Sequence, residues 1–300
     1  VTVHNTLPDT VANTIAKLSA VDMVAAFASR TLSPVEVYDA VEELIGEVEP
    51  VINAFYVRDQ IAARSEAEAS ATRWVRGEPL GPIDGVPVTL KENIARKGVP
   101  MPAGTACSEA LPALADAPIT ARVKESGAVV LGSTTMPDWG MLSSGVSSLH
   151  GITRSPWNPA WTTGGSSAGA GAAAAAGFGP LHVGTDIGGS IRLPGTWLGL
   201  VAHKPSLGGS HWMCLTLAGA PVRSHVLSAT PPCSCRCSAN RTSGTGQACP
   251  KPTSTGRTWI SMSAVYGLPY TSMLAAEWRL TPPSQRRLKG QHGSSPTPVP

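Results

Sequence analysis

Gly164-Gly165-Ser166-Ser167-Ala168-Gly169 and, shortly after it, Gly184-Thr185-Asp186-Ile187-Gly188-Gly189-Ser190-Ile191-Arg192 are the stretches whose reading decides this chain. Each sets a serine in a glycine-rich turn, and the two serines, Ser166 and Ser190, stand 24 positions apart. Glycine adopts positive φ at little cost and lets the backbone approach a ligand, turning successive N–H groups toward one small anionic centre. Turns of this kind suit an oxyanion hole beside a nucleophilic hydroxyl.

Upstream, Gly81-Pro82-Ile83-Asp84-Gly85-Val86-Pro87-Val88-Thr89-Leu90-Lys91-Glu92-Asn93 contains a short apolar, β-prone run that ends on a lysine. Downstream, Gly127–Gly132 reads as a buried strand and Ser167–Ala176 as a helix of small residues that packs very closely. Before Lys91 the chain reads as helices. Ser19-Ala20-Val21-Asp22 is a capping box ahead of Met23, Val24 and Phe27. Ser33-Pro34-Val35-Glu36 combines an N-cap serine, a first-turn proline and a reaching glutamate ahead of Val37, Ala40, Val41 and Leu44. Arg58–Arg76 reads as a third helix with Glu66 and Glu68 on solvent. The alternation of helices with short strands after Lys91 points to an α/β fold.

The lysine and the two serines, in this order and spacing, resemble the amidase signature family over roughly residues 13–208. The resemblance implies an α/β amidase signature fold, a mixed β-sheet core surrounded by helices, incomplete at its C-terminal side. It also implies a Ser-Ser-Lys catalytic set. Ser190 matches the nucleophile that forms an acyl-enzyme. Ser166 matches the bridging serine, which the family holds on a cis peptide bond. Lys91 matches the general base, which accepts a proton only when neutral, a state that burial favours. The N–H groups of Ile187, Gly188 and Gly189 match the oxyanion hole. Ser167, Thr185, Asp186 and Arg192 match supporting positions, the last two holding the loop in shape. Met136–Met141 would border the site, with Trp139, Met141 and Trp157 as candidates to line an acyl pocket. No cofactor and no metal are implied.

Taken singly, each of these residues has an ordinary reading. Gly/Ser-rich turns are usually plain loops, a lone lysine is usually a solvated charge, and Asp186 with Arg192 is usually a weak surface pair. Their joint order and spacing outweigh those readings. Two rival motifs fit less well. Gly165-Ser166-Ser167-Ala168-Gly169 matches the G-x-S-x-G elbow, which would make Ser167 the nucleophile, but nothing around His203, His211 or His225 marks a triad histidine. Gly169-Ala170-Gly171 lacks the third glycine and the acidic residue of a dinucleotide fingerprint.

Composition bounds the rest. The chain has 300 residues, 42% hydrophobic and 14% charged, enough for a sizeable core. It has no apolar run long enough to span a bilayer and no signal-like start, so the cytoplasm is the expected location. Charge changes abruptly along the chain. Residues 1–205 hold 19 acidic and 14 basic side chains, whereas residues 206–300 hold only Glu277 against nine basic ones. The second segment also carries Cys214, Cys233, Cys235, Cys237 and Cys249 without paired C-x-x-C zinc spacing or aromatic platforms for nucleic acid. The expected organisation is therefore an amidase signature domain over 1–208 and an atypical basic Cys/Pro/Ser-rich tail over 209–300, either disordered or the product of a frameshift.

The expected activity is amide hydrolysis to a carboxylate and ammonia or an amine through a seryl acyl-enzyme. The alternatives are a glutamine-dependent transamidase subunit of the same family and an inactive truncated or frameshifted homologue. The expected partner is a small-molecule amide substrate, with a homo-oligomer compatible and neither nucleic acid nor membrane expected.

Overall fold

A computed structural model describes residues 11–205 and the backbone of one further strand, Cys214–Ala218. Three helices lead: α1 (Val11–Ala16), α2 (Ala20–Ser29) and α3 (Pro34–Ile52). Ser33 caps α3 as read from the sequence: its hydroxyl accepts from Glu36 N–H while the Glu36 carboxylate accepts from Ser33 N–H. Ser19 caps α2 with half of that arrangement, because its hydroxyl donates to the Asp22 carboxylate as well as accepting from Asp22 N–H. At the far end of α3, Glu49 accepts from Ala54 and Phe55 N–H, which sets the start of β1 (Phe55–Val57).

The main sheet has six strands in the order β1, β3, β2, β6, β8, β7. Its centre is parallel: β2 (Pro87–Lys91) lies between β3 (Val129–Thr134) and β6 (Leu181–Thr185). The outer strands run antiparallel to their neighbours, with β1 on β3, and β8 (Cys214–Ala218) between β6 and β7 (Val201–Ala202). A small separate hairpin joins β4 (Val146–Ser147) to β5 (Gly151–Ile152). β2 and β3 are buried at every position, as a strand covered on both faces requires. β8 lies past the boundary drawn at 208 from the sequence. The remainder of the segment read as a tail lies outside the described residues.

Helix α4 (Gln60–Arg76) packs on α3 and β3 and anchors the approach to β2. The Arg73 guanidinium makes a bidentate pair with the fully buried Asp84 carboxylate, at 2.8 and 2.6 Å, and Asp84 also accepts from Leu80 N–H. Paired, forked geometry of this kind fixes direction as well as distance. One expectation for α4 is corrected. Glu66 does not face solvent: it is half-buried, accepts from Val130 N–H at 2.8 Å, and its carboxyl is pushed above the usual range by that burial. The sheet needed an acceptor for the second amide of β3, and helical spacing alone could not show it. Glu68 is exposed, as read.

Helix α6 (Ala168–Ala176) consists only of alanine and glycine and is buried throughout. It lies against β2, β3, β6, β8 and α7 (Arg192–Leu198). The small side chains are what allow this approach: a Cβ on Gly169 would stand 2.2 Å from the Ala54 carbonyl oxygen and 2.5 Å from Thr135 N. Such contact brings the N-terminus of α6, and Ser166 and Ser167 before it, onto the C-terminal rim of β2 and β6. α5 (Pro118–Glu125) completes the helices between β2 and β3.

Candidate active site

Lys91 is the last residue of β2, and its side chain is fully buried. Its Nζ lies 2.8 Å from Ser166 Oγ and 3.0 Å from Thr185 Oγ1, the latter at the end of the neighbouring parallel strand. Ser166 is 3% exposed and follows a cis peptide bond from Gly165, as the resemblance implied. A buried amine held between two hydroxyls can give or take a proton over a fixed distance without a water intervening. Asn93, two residues beyond Lys91, donates from Nδ2 to Thr185 Oγ1 at 3.1 Å.

Ser167 ties the two glycine-rich turns together. Its N–H donates to the Ser190 carbonyl at 3.0 Å, and its hydroxyl both donates to the Thr185 carbonyl and accepts from Thr185 N–H. These bonds give Ser167 a structural place, unlike the nucleophile of the G-x-S-x-G reading. Ser190 therefore joins the group through its backbone. Among the described residues its hydroxyl has no hydrogen-bond partner, and the side chain is partly open to solvent.

Asp186 organises the turn that carries Ser190. Its buried carboxylate accepts from Gly189, Ile191 and Arg192 N–H and from Arg192 Nε and Nη2. Burial on its own would raise this carboxyl, but the Arg192 side chain and the three backbone N–H donors hold it well below the usual range. The arrangement modifies one expectation. The Gly189 N–H is turned inward to Asp186 Oδ1 at 2.8 Å, so it is not aimed at an incoming oxygen here. The exposed Ile187 and Gly188 carry the other two amides expected at that position.

The loop read as bordering the site does so through Gly140. A Cβ there would stand 3.2 Å from Ser166 Oγ, and its φ of +68° lies in the left-handed region. Trp139 and Met141 are 61% and 81% exposed, whereas Trp157 is partly buried and donates from Nε1 to the Leu198 carbonyl. The three therefore do not line one closed pocket among the described residues. Sequence reasoning also passed over Glu92 and His150. The Glu92 carboxylate, next in sequence to Lys91, is buried, accepts from Gly104 N–H at 2.8 Å, and meets His150 Nε2 at 2.7 Å. Glu92 was within the quoted motif, but its partner lies 58 positions away.

Among the described residues, no group of three or more His, Cys, Asp or Glu side chains could hold a metal ion, and no helix is long and apolar enough to cross a membrane.

Known proteins resemble this chain. The chain is 40% identical over 191 residues to a glutamyl-tRNA(Gln) amidotransferase subunit of Acidothermus cellulolyticus, an alignment covering 64% of this chain and 38% of that protein. It is 38% identical over 220 residues to indoleacetamide hydrolase of Bradyrhizobium diazoefficiens, covering 71% and 41%. A bacterial aryl acylamidase structure of the amidase signature family superposes with a TM-score of 0.61 at 34% identity, over 64% of this chain and 40% of that one. The chain thus spans about two fifths of the length of these relatives. The amidase family model matches residues 36–218, reaching from the first turn of α3 through β8. Because that match takes in more than half of the chain, including the lysine strand and both serine turns, the chain belongs to the amidase signature family.

Proposed function

We propose that this chain carries the acyl-transfer machinery of an amide hydrolase, with Ser190 as nucleophile, Ser166 as proton relay and Lys91 as base. Neutral Lys91 takes the Ser166 hydroxyl proton as Ser166 takes that of Ser190. Ser190 Oγ attacks the amide carbonyl, and the Ile187 and Gly188 N–H groups receive the oxyanion. Removing one oxyanion donor in other hydrolases costs about 2.7–4 kcal/mol, so two amides suffice for a large effect. Collapse of the tetrahedral adduct expels ammonia or an amine, which takes its proton back through Ser166, and water then cleaves the acyl ester. Thr185 orients Lys91, while Asp186 and Arg192 shape the turn.

The observation that carries this reading is the fully buried Lys91 Nζ at 2.8 Å from Ser166 Oγ. A lysine is seldom buried without a function or a partner. The open Ser190 hydroxyl fits a resting enzyme, in which catalytic hydrogen bonds are often long and tighten only when substrate binds. The test is covalent: a fluorophosphonate should label Ser190, and labelling should disappear in Ser190→Ala and in Lys91→Ala. Labelling of Ser167 would transfer the case to the elbow reading, and a Lys91→Ala chain that labels like the wild type would remove Lys91 from the mechanism.

A second reading is favoured by the 40% identity to an amidotransferase component. There the amide is glutamine, and the ammonia passes to a second acceptor. Release of ammonia from glutamine but not of aniline from acetanilide would select it.

A further inference from the structure

Two residues past the lysine, Asn93 has a place in the site that the proposed mechanism does not use. The chain turns sharply as it leaves β2: Ile94 N–H donates to the Lys91 carbonyl at 2.8 Å, which closes a four-residue turn with Asn93 at its third position. The neighbours of Asn93 fix this turn. Glu92 N–H donates to the Thr134 carbonyl at the end of β3, the Glu92 carboxylate accepts from Gly104 N–H, and both Glu92 and Ile94 are buried. Asn93 itself is exposed, and its side-chain amide meets the Thr185 hydroxyl at the end of β6.

The donors and acceptors around Thr185 define what that contact does. A hydroxyl has one proton to give and two lone pairs to fill. Thr185 Oγ1 lies 3.0 Å from Lys91 Nζ, 3.1 Å from Asn93 Nδ2 and 3.5 Å from Asn93 Oδ1. With Nδ2 donating, Asn93 fills one lone pair and the other is left for an N–H of Lys91. With the amide turned over, its oxygen takes the Thr185 proton, and the hydroxyl again has only lone pairs to offer the amine. The harmful arrangement is the third, in which Thr185 points its proton at Nζ. A lysine acting as base has a single lone pair, and the Ser166 hydroxyl, at 2.8 Å, has to reach it. An amine that carries its extra proton and one that has given it up both keep an N–H for Thr185, so an accepting Thr185 serves every stage of the reaction.

We infer that Asn93 is a positioning residue: by engaging the Thr185 hydroxyl it keeps Thr185 an acceptor for Lys91 and leaves the Lys91 lone pair to Ser166. The inference rests on the reading of Ser190, Ser166 and Lys91 as the acyl-transfer set. It is tested on the full chain by saturation kinetics of Ser190 labelling with an alkyl fluorophosphonate, in the wild type, Asn93→Ala, Thr185→Val and the double variant, with a thermal melt of each. Asn93→Ala should lower the maximal labelling rate about fivefold, as expected for one neutral hydrogen bond, with the half-saturating probe concentration and the melting temperature little changed. Added to Thr185→Val, the same substitution should cost nothing more, because the residue through which Asn93 acts is gone. Thr185→Ser keeps the hydroxyl, so in that background Asn93→Ala should again cost about fivefold, a comparison that stands even where the valine chain fails to fold. A side chain that touched the probe would instead shift the half-saturating concentration and act alike in every background, and one that only supported the fold would lower the melting temperature. An undiminished maximal rate in Asn93→Ala, an equal loss in the Thr185→Val background, or no loss in the Thr185→Ser background overturns the inference. Absence of Ser190 labelling in the wild type overturns the acyl-transfer reading and this inference with it, whereas wild-type labelling that Asn93→Ala leaves untouched overturns this inference alone.

Discussion

Replacing Asp186 by asparagine changes one atom and should disable the turn before Ser190. The carboxylate receives five donors and offers none. Oδ1 accepts from Gly189 N–H and Arg192 Nη2, and Oδ2 accepts from Ile191 N–H, Arg192 N–H and Arg192 Nε. An amide nitrogen placed at Oδ2 would face three donors, and placed at Oδ1 it would face two, so the side chain will settle with its nitrogen at Oδ1. Two bonds are then lost, and they are unequal. The Arg192 side chain is 53% exposed and can turn its freed N–H to water. The Gly189 N–H is buried and loses a bond to a charged acceptor, a loss of about 1.5–3 kcal/mol. The melting temperature should fall by about 3–12 °C, given about 2–4 °C per kcal/mol for a domain of this size. Because Gly189 immediately precedes Ser190, the rate of Ser190 labelling by a fluorophosphonate should fall about 100-fold, the scale expected for an ångström of misplacement. Arg192→Gln is the control. It leaves the three backbone bonds in place but takes the cation from a buried carboxylate, so it should lower the melting temperature while slowing labelling less than Asp186→Asn does. Both quantities follow from a thermal melt and a mass-spectrometric time course. Wild-type behaviour of Asp186→Asn would refute the reasoning, and equal damage from Arg192→Gln would show that the ion pair, not the backbone bonds, holds the turn.

Two glycines should respond to alanine with opposite signs. Gly46→Ala, on the exposed face of α3 with nothing within 4 Å of the new methyl, should stabilise by about 0.5–1 kcal/mol, whereas Gly169→Ala must push a Cβ into backbone atoms at 2.2 and 2.5 Å and should destabilise by about 1–3 kcal/mol despite its better helix propensity. Urea midpoints measure both, and a Gly169→Ala chain as stable as the wild type would mean that α6 has room to move. His182 is fully buried with its Nε2–H donated to the Gly179 carbonyl and Nδ1 facing Thr89 Oγ1, and burial lowers its pKa to about 4. Above pH about 6.5 folded and unfolded chains both hold it neutral, whereas between about 6.5 and 4 only the unfolded chain takes the proton, so stability should drop by about 3 kcal/mol across that window and no further below it on this account. Denaturant melts from pH 4 to 7 should show this drop in the wild type and not in His182→Gln; parallel curves would remove His182 as its source.

What could be read in the sequence follows from how far each determinant reaches along the chain. The Ser33–Glu36 cap was legible because both partners sit within one helical turn. The serine turns and the lysine strand were legible through the family resemblance, and the sheet brings Lys91, Ser166 and Thr185 together from three separate segments. Glu66 was misread because its acceptor role answers to a strand amide 64 positions away. The inward turn of Gly189 N–H was equally hidden: the motif shows a run of amides but not which of them a neighbouring carboxylate will claim. β8 was assigned to the tail because charge and cysteine content change there, although strand pairing depends on backbone register and tolerates both.

The parallel run of β2 beside β6 has a consequence for how such a protein can diversify. Neighbouring strands in a sheet lie about 4.8 Å apart whatever the loops around them do. Lys91 ends one of these strands and Thr185 the other, so the reach from amine to hydroxyl is inherited from the sheet itself. Loops can lengthen, shorten or change their clientele while this span stays constant. That span is thus insulated from the loops around the sheet, and selection can rewrite the loops without renegotiating it.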